Sequence, residues 1–329
     1  MSRKEPFRIA LYLPLAYSFA RSIAQGVFSY VRQRKGRPWT VSLNASGSGY
    51  GTAMEEIASF KFDACLALVL DPAMEEELRA NVRYPVNISN RRLDLGLPQV
   101  VSDDIAVGRM AADFFIERGY RKFCYVWSAG SMGFSRLRYR GFLKRLREHG
   151  LAVDERFSVR KVRHHLRKIP PESAVFVSDD QTAVPLCQLC ERMGLRLPED
   201  VSVLSVDNDE LFCHAHASNL SSIELDGERI GWEACALIDR WRRGGRPPAK
   251  PILIPPVEVV ERRSTDRYAV ENKRLRAALG IINRQAHRGI RPEAVAEQMG
   301  VNRRTLENEF AETFGHSLHE HIREVQVTT

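Results

Sequence analysis

The chain has 329 residues, 44% hydrophobic and 27% charged, with 21 Gly, 16 Pro and a formal net charge of +8. This length exceeds a single small module, and the composition excludes a fibrous or disordered chain. No run of about 18 uncharged apolar residues occurs, which excludes a membrane-spanning helix. The start, MSRKEPFRIALYLPL, is broken by Pro14 and lacks a small-residue cleavage site, so it does not read as a signal peptide. A soluble cytoplasmic protein with no membrane partner is expected. Its basic balance suits nucleic acid or an anionic surface, depending on where the charge lies.

From Pro6 to about Arg263, short apolar runs alternate with amphipathic helical stretches, the pattern of parallel βαβ units. Strands are predicted at Arg8–Leu13, Thr40–Leu43, Ala64–Val69, Val86–Ile88, Gln99–Val101, Lys122–Val126, Ala174–Val177 and Val201–Val206. Helices are predicted at Phe19–Gln33, Val107–Arg118, Gly141–Glu148, Ala183–Met193 and Gly227–Arg243. In the first of these, Ile23, Val27, Tyr30 and Val31 recur on one face. About ten strands exceed one ordinary open sheet, which predicts two doubly wound lobes. The Gly- and Pro-punctuated segment Gly244–Pro256 suits a crossover or an edge. From Ser264 the pattern turns helical: Tyr268–Ala286, Pro292–Met299, Arg303–Phe314 and a last helix from near Leu318.

Within Ile290–Gly315 (IRPEAVAEQMGVNRRTLENEFAETFG), Pro292 suits a first helical position and Gly300 a left-handed helix end. Asn302 can cap the next helix, and Leu306 with Phe310 anchors it. Two short helices joined in this way make a helix-turn-helix, whose second helix can enter a DNA major groove. Arg303, Arg304, Glu307 and Asn308 lie off the apolar stripe and carry the chemistry that reads bases and phosphates. An ordinary αα-hairpin with a solvated outer face fits the same pattern.

Leu275 to Val325 resembles the start of an AraC/XylS-family DNA-binding domain, on Ala296, Gly300, Arg303-Arg304, Leu306, Phe310 and Gly315. The stretch from Glu261 (ERRSTDRYAV) is similar to the Arg-x-Ser-Thr-Asp linker of that family's xylose-operon activators. The resemblance implies a domain of two helix-turn-helix units joined by a long helix. Here HEHIREVQVTT resembles only the opening of that helix, so residues 266–329 are expected to hold the first unit of an apparently truncated domain.

Residues 1–265 resemble the sugar-sensing core of LacI-type repressors, on YPVNIS (84–89), VVSDDIAVGRMAADFFIERGYRKFCYV (100–126), RLRYRGF (136–142), VFVSDDQTA (175–183) and LPEDVSVLSVDNDE (197–210). The resemblance implies a two-lobed, periplasmic-binding-protein-like fold with interlobe crossovers near 103, 221 and 252. Its ligand lies in the cleft, at the carboxyl ends of the strands. Asp207 and Arg138 match the principal ligand contacts, Asp103 and Asp179 two further cleft positions, and Phe19 and Arg21 a contact run from the first lobe. The xylose activators carry Tyr-Gly-Arg-Gly in that run and this chain Phe-Ala-Arg-Ser, which counts against xylose itself. Competing roles are a helix cap or turn for Asp179 and Asp207, a solvated charge for Arg138 and core packing for Phe19; for Asp103 the two readings balance.

The reading is therefore a sugar-responsive DNA-binding regulator that works as a homodimer, and meets RNA polymerase if it activates. An orphan sugar-binding sensor is the alternative. A sugar-modifying enzyme is the weaker reading, because no nucleophile elbow, P-loop or metal-binding His-Glu pair occurs. No cofactor or metal is expected. Cys187-x-x-Cys190 lies in a helical stretch without a second pair, so all six cysteines are expected as buried free thiols. His164, His165, His287, His316, His319 and His321 are expected at the surface, and His214 and His216 on a loop. Gly47–Gly51 reads as a loop without a phosphate-binding frame, and the sequons at Asn44, Asn87 and Asn219 mean little without export. Residues 266–329 carry ten Lys/Arg against nine Asp/Glu, whereas 136–168 carry twelve against three. Basicity therefore does not support DNA binding by the tail; the helix pattern and the resemblance do.

Overall fold

The computed structural model describes residues 6–34, 36, 38–44, 61–128, 132–161, 165–166, 169–170, 172–215, 219–266 and 272–328. Gly47–Gly51, His164 and His216 lie outside the described residues. The first lobe is built on β1 (Phe7–Tyr12), β2 (Trp39–Asn44), β3 (Ala64–Ala67) and β4 (Tyr84–Asn87), parallel in the order β2-β1-β3-β4. A bridge from Asn87 to Gln99 carries the sheet on to β5 (Val100–Ser102), which pairs in parallel with β11 (Ile252–Ile254). The second lobe contains β6 (Phe123–Trp127), β7 (Glu155–Ser158), β8 (Ser173–Val177), β9 (Val201–Val206), β10 (Ser221–Leu225) and β12 (Pro256–Val260). Its order is β12-β10-β9-β8-β6-β7, with only β12 antiparallel.

Central strands β1 (FRIALY, buried except at Arg8) and β9 (VSVLSV, wholly buried) are covered on both faces, so helices must lie on both sides of each sheet. In the first lobe α1 (Ser18–Gln33) and α7 (Gly227–Arg242) share one core with the sheet, and α2 (Pro72–Asn81) packs Met74 and Leu78 on the other face. In the second lobe α3 (Asp104–Glu117) and α4 (Gly133–Glu148) cover one face, and α5 (Asp180–Arg192) covers the other. A short α6 (Glu210–Cys213) follows β9. The tail forms α8 (Lys273–Gln285), α9 (Pro292–Gln298), α10 (Arg303–Phe314) and α11 (Leu318–Thr328) around a separate core that includes Leu279, Leu306, Phe310 and Ile322.

Some elements depart from the sequence pattern. Helix α2 is charge-rich, so its two large, buried apolar residues give no extended stripe; Asp71 accepting from the Met74 amide and Pro72 in the first turn start it instead. Helix α4 begins at Gly133, eight residues ahead of the predicted Gly141, because Arg138 and Ser135 in its first half are polar yet buried. Strands β7, β10 and β12 were not anticipated: β7 and β12 are at sheet edges, where one-sided burial breaks the apolar run. The chain passes between lobes after β5, after β10 and between β11 and β12. The last two passes fall a few residues beyond 221 and 252, because those positions first complete strands.

All six cysteines are buried and free. Asn87 is fully buried and bonded to Gln99 and Ser89, which removes it as a glycosylation acceptor.

In each lobe the paired helices meet at backbone distance. A Cβ on Gly141 would lie 2.1 Å from the Ile105 carbonyl oxygen, and one on Gly108 2.0 Å from that of Arg138. The α1–α7 pair repeats the device, where a Cβ on Gly231 would lie 2.1 Å from the Ile23 carbonyl oxygen. Because the obstructing atoms are backbone, relief requires helix displacement. Gly141→Val is expected to destabilise the protein by about 1–3 kcal/mol or more, read as a lowered urea midpoint.

Candidate functional site

The carboxyl ends of both parallel sheets face one another across a cavity of about 450 Å³, within the usual size for a small-molecule site. One wall is the β1–α1 loop and the start of α1, with Leu13, Tyr17, Ser18 and Phe19. The opposite wall carries Met132, Phe134, Arg138, Asp179, Asp180, Asp207, Asp209 and Phe212. Phe19 packs against the cores of both lobes, and the Ser18 amide donates to Asp209 Oδ2 at 2.8 Å across the cleft. The hydroxyl oxygens of Ser18 and Ser128 line the cavity, buried and without a hydrogen-bond partner among the described residues.

Arg138 lies 3% exposed at the centre of the polar wall. Its Nε donates to Asp104 Oδ1 at 2.8 Å, Nη1 donates to the Ser178 carbonyl, and Nη2 is 3.7 Å from Asp207 Oδ1. Burial alone would lower its pKa, but the charges of Asp104 and then Asp207 hold it above the ordinary arginine value, so the guanidinium stays cationic. Asp104 also accepts from Asn90 Nδ2 at 2.7 Å, which extends the system into the first lobe.

Asp179 both lines the cleft and caps α5, accepting from the Thr182 amide at 2.8 Å and from Ser178 Oγ at 2.6 Å. Asp180 beside it turns inward. It accepts from the Ser205 and Ser222 hydroxyls, the Asp209 amide and Cys213 Sγ. Withdrawal from water raises its pKa to about 6, although these donors oppose the rise. Asp207 sits at φ 109°, in the left-handed region, and its carboxyl is pushed well up by loss of water; Arg138 opposes that, and Asp180 and Asp179 reinforce it.

Of the residues predicted to meet ligand, Phe19, Arg138, Asp179 and Asp207 therefore lie together on the cavity. Arg21 and Asp103 do not. Arg21 is two residues beyond Phe19 on α1, about 200° around the helix, and its Nη1 donates to the carbonyls of Leu15 and Ala16 at 2.9 and 2.8 Å. It fastens the loop that forms the cleft wall. Asp103 caps α3 by accepting from the Ala106 amide at 3.0 Å, and its neighbour Asp104 makes the inward contact. Sequence reasoning missed Asp180 and Asp209 as cavity residues and Asp104 as the partner of Arg138. A repeated signal was present: both Asp-Asp pairs follow strands, the first Asp capping a helix and the second buried.

The second group of predicted residues lies on α10. Asn302 caps it, accepting from the Arg304 amide at 2.9 Å, and Gly300 before it has φ 63°. Leu306 and Phe310 are fully buried, while Arg304 and Asn308 are exposed. Arg303 is exposed as well, but it is held by Glu307 at 2.8 Å and by Glu293 of α9, and Glu307 is thereby engaged too. Among the described histidine side chains, which exclude His287, His321 departs most from the expected surface position: it is 6% exposed and stacked against His316, because α11 turns that face onto Phe310 and Phe314.

Fold and cleft together define a two-lobed α/β module of periplasmic-binding-protein-like fold, followed by a helical unit. The family described as "Periplasmic binding protein-like domain" matches residues 112–265. The xylose operon regulatory protein of Escherichia coli K12 is 25% identical over 331 residues, covering 95% of this chain and 83% of that protein. The transcriptional repressor CytR of the same organism is 28% identical over 183 residues, 52% of each chain. The solved structure of the xylose-binding transcription activator XylR aligns with a TM-score of 0.67 at 22% identity, covering 99% of this chain and 87% of that one. These relatives are transcription regulators rather than enzymes, which sets aside the sugar-modifying enzyme.

Arg138→Met would strand Asp104 in the interior without its cation. It is expected to cost about 3–5 kcal/mol in chemical denaturation. The raised pKa of Asp180 means that the folded state holds this proton more tightly than the unfolded chain. The stability it contributes is full below about pH 4 and is lost as pH rises through about 6. Urea midpoints measured across this window should fall less steeply in Asp180→Asn than in the parent protein.

Proposed function

We propose that the protein is a cytoplasmic transcription regulator in which a neutral sugar or polyol, bound in the interlobe cleft, controls the binding of double-stranded promoter DNA by residues 266–329. On this reading residues 1–265 are the sensor and the tail is an AraC/XylS-type helix-turn-helix unit. The protein acts as a homodimer and contacts RNA polymerase where it activates. Asp179, Asp180, Asp207 and Asp209 line the cavity together with Arg138. Carboxylates accept from hydroxyls, and the surplus of acids disfavours a phosphorylated or acidic effector. Tyr17, Phe19, Phe134 and Phe212 supply apolar surface for the carbon faces of a sugar ring.

The observation that carries the reading is a short connection from cleft to tail. Asn208, directly after Asp207, accepts at Oδ1 from Arg262 Nη2 at 2.7 Å, and Arg262 Nη1 donates to the Leu220 carbonyl at 3.0 Å. Two residues on, Ser264 Oγ donates to the Val203 carbonyl at 2.7 Å, so the start of the linker is fastened to the middle of β9, the strand that ends at Asp207. A ligand that favours one arrangement of Asp207 thereby favours one arrangement of the linker, which is a population shift between tail positions. On α10, Arg304 and Asn308 are the exposed groups for phosphate and base contacts, with Arg303 available once its two glutamates release it.

The test pairs calorimetry, using neutral pentoses, hexoses and polyols, with gel shifts on DNA upstream of the gene at several salt concentrations. A saturable sugar that changes a salt-dependent shift is the expected result. Sugar binding with no shift under any condition would leave the orphan sensor instead. Arg304→Ala should weaken the shift about tenfold or more. Arg262→Ala should leave sugar affinity in place while removing its effect on DNA affinity; retention of that effect would sink the proposed connection.

A further inference from the structure

Helix α10 ends at Gly315, whose φ of 75° turns the chain so that His316 comes back over the first turns of α11. His321 and Glu324 are three residues apart on α11 and so share one face. His316 Nε2 and His321 Nδ1 are 3.2 Å apart, with rings 5.4 Å between centroids and inclined by 20°. One ligand atom from each of His316, His321 and Glu324 lies within 4.8 Å of the others. His321 is 6% exposed, His316 is half-buried and Glu324 is exposed, so the group opens to solvent on its carboxylate side.

We propose that His316, His321 and Glu324 form a binding site for a divalent, borderline-soft transition metal ion such as Zn²⁺, Co²⁺ or Ni²⁺. With metal–nitrogen bonds of about 2.0–2.1 Å, two ligands of a tetrahedral ion lie ~3.3 Å apart, close to the observed separation of the imidazole nitrogens. Two imidazoles and one carboxylate suit these ions, whereas Ca²⁺ and Mg²⁺ take oxygen ligands. His321 is already fixed between Phe310 and Phe314, which limits the entropy lost on binding. The ion joins the turn after α10 to α11 and so braces the helix that carries the candidate DNA contacts.

Tag-free full-length protein, stripped with a chelator, would be titrated with Co²⁺ alone by visible absorption and with Zn²⁺ alone by calorimetry, without sugar or DNA. One equivalent should bind, with d–d bands of a nitrogen- and oxygen-ligated ion. Glu324→Gln, at an exposed position, and His316→Ala should each weaken binding ~10-fold or more, and His319→Ala should leave it unchanged. The site is overturned if no saturable single equivalent binds, or if Glu324→Gln binds like the parent protein. Equal loss on His319→Ala would identify non-specific capture by surface histidines and would overturn it as well.

Discussion

A single buried guanidinium organises the cleft. Arg138 rises from α4 and joins Asp104 at the start of α3, the Ser178 carbonyl at the end of β8 and Asp207 at the end of β9. A cation so far from water is tolerable only because fixed carboxylates surround it, and those carboxylates are tolerable only because of the cation and the donors around them. The arrangement holds the strand ends of the second lobe in register, and through Asn90 it reaches the first lobe. The cleft therefore carries its polarity as preorganised acceptors, which suits a ligand rich in hydroxyls.

The helices around this centre are placed by packing rather than by charge. Glycines at 108 and 141 in one lobe, and at 26 and 231 in the other, let helix pairs approach to backbone contact. Both lobes thus use one solution for covering the side of a parallel sheet. The strand ends of both meet at the same level, and the cavity opens there. Closure is set by few groups: the Ser18 amide on Asp209, and Phe19, which shares both cores. Since Asp209 also donates its own amide to Asp180, the interlobe contact is tied to the buried acids of the second lobe.

The tail contributes its own small core, and its link to the second lobe runs along polar contacts. Ser264 and Thr265 are buried between the linker and the sheet, where Ser221 Oγ meets Thr265 Oγ1 at 2.7 Å. Arg276 on α8 reaches Glu172 of the second lobe at 3.5 Å. The Arg276–Glu172 pair is open to water and exchanges with it at modest cost, whereas the buried Ser264 and Thr265 contacts hold the start of the linker to the sheet.

The sequence by itself determined the alternation of strands and helices, the division into an α/β part and a helical tail, and the anchoring of α10 by Leu306 and Phe310. These follow from hydrophobic period and cap chemistry, which are local. The resemblance to LacI-type cores marked six residues, of which the fold brings Phe19, Arg138, Asp179 and Asp207 to one cavity and leaves Arg21 and Asp103 off it. Only the tertiary structure decided between adjacent carboxylates: Asp103 caps and Asp104 pairs, Asp179 caps and lines the cleft while Asp180 turns inward. One residue of offset at a helix start changes direction by about 100°, and composition does not record it. For the same reason Arg21 faces away from Phe19. Helix α2, with two large apolar residues, and the edge strands β7 and β12 were likewise illegible, since their stability comes from partners distant in the chain. The burial of His321 beside His316 depends on how α11 folds back over Phe310, a contact between elements that no periodicity within either one specifies.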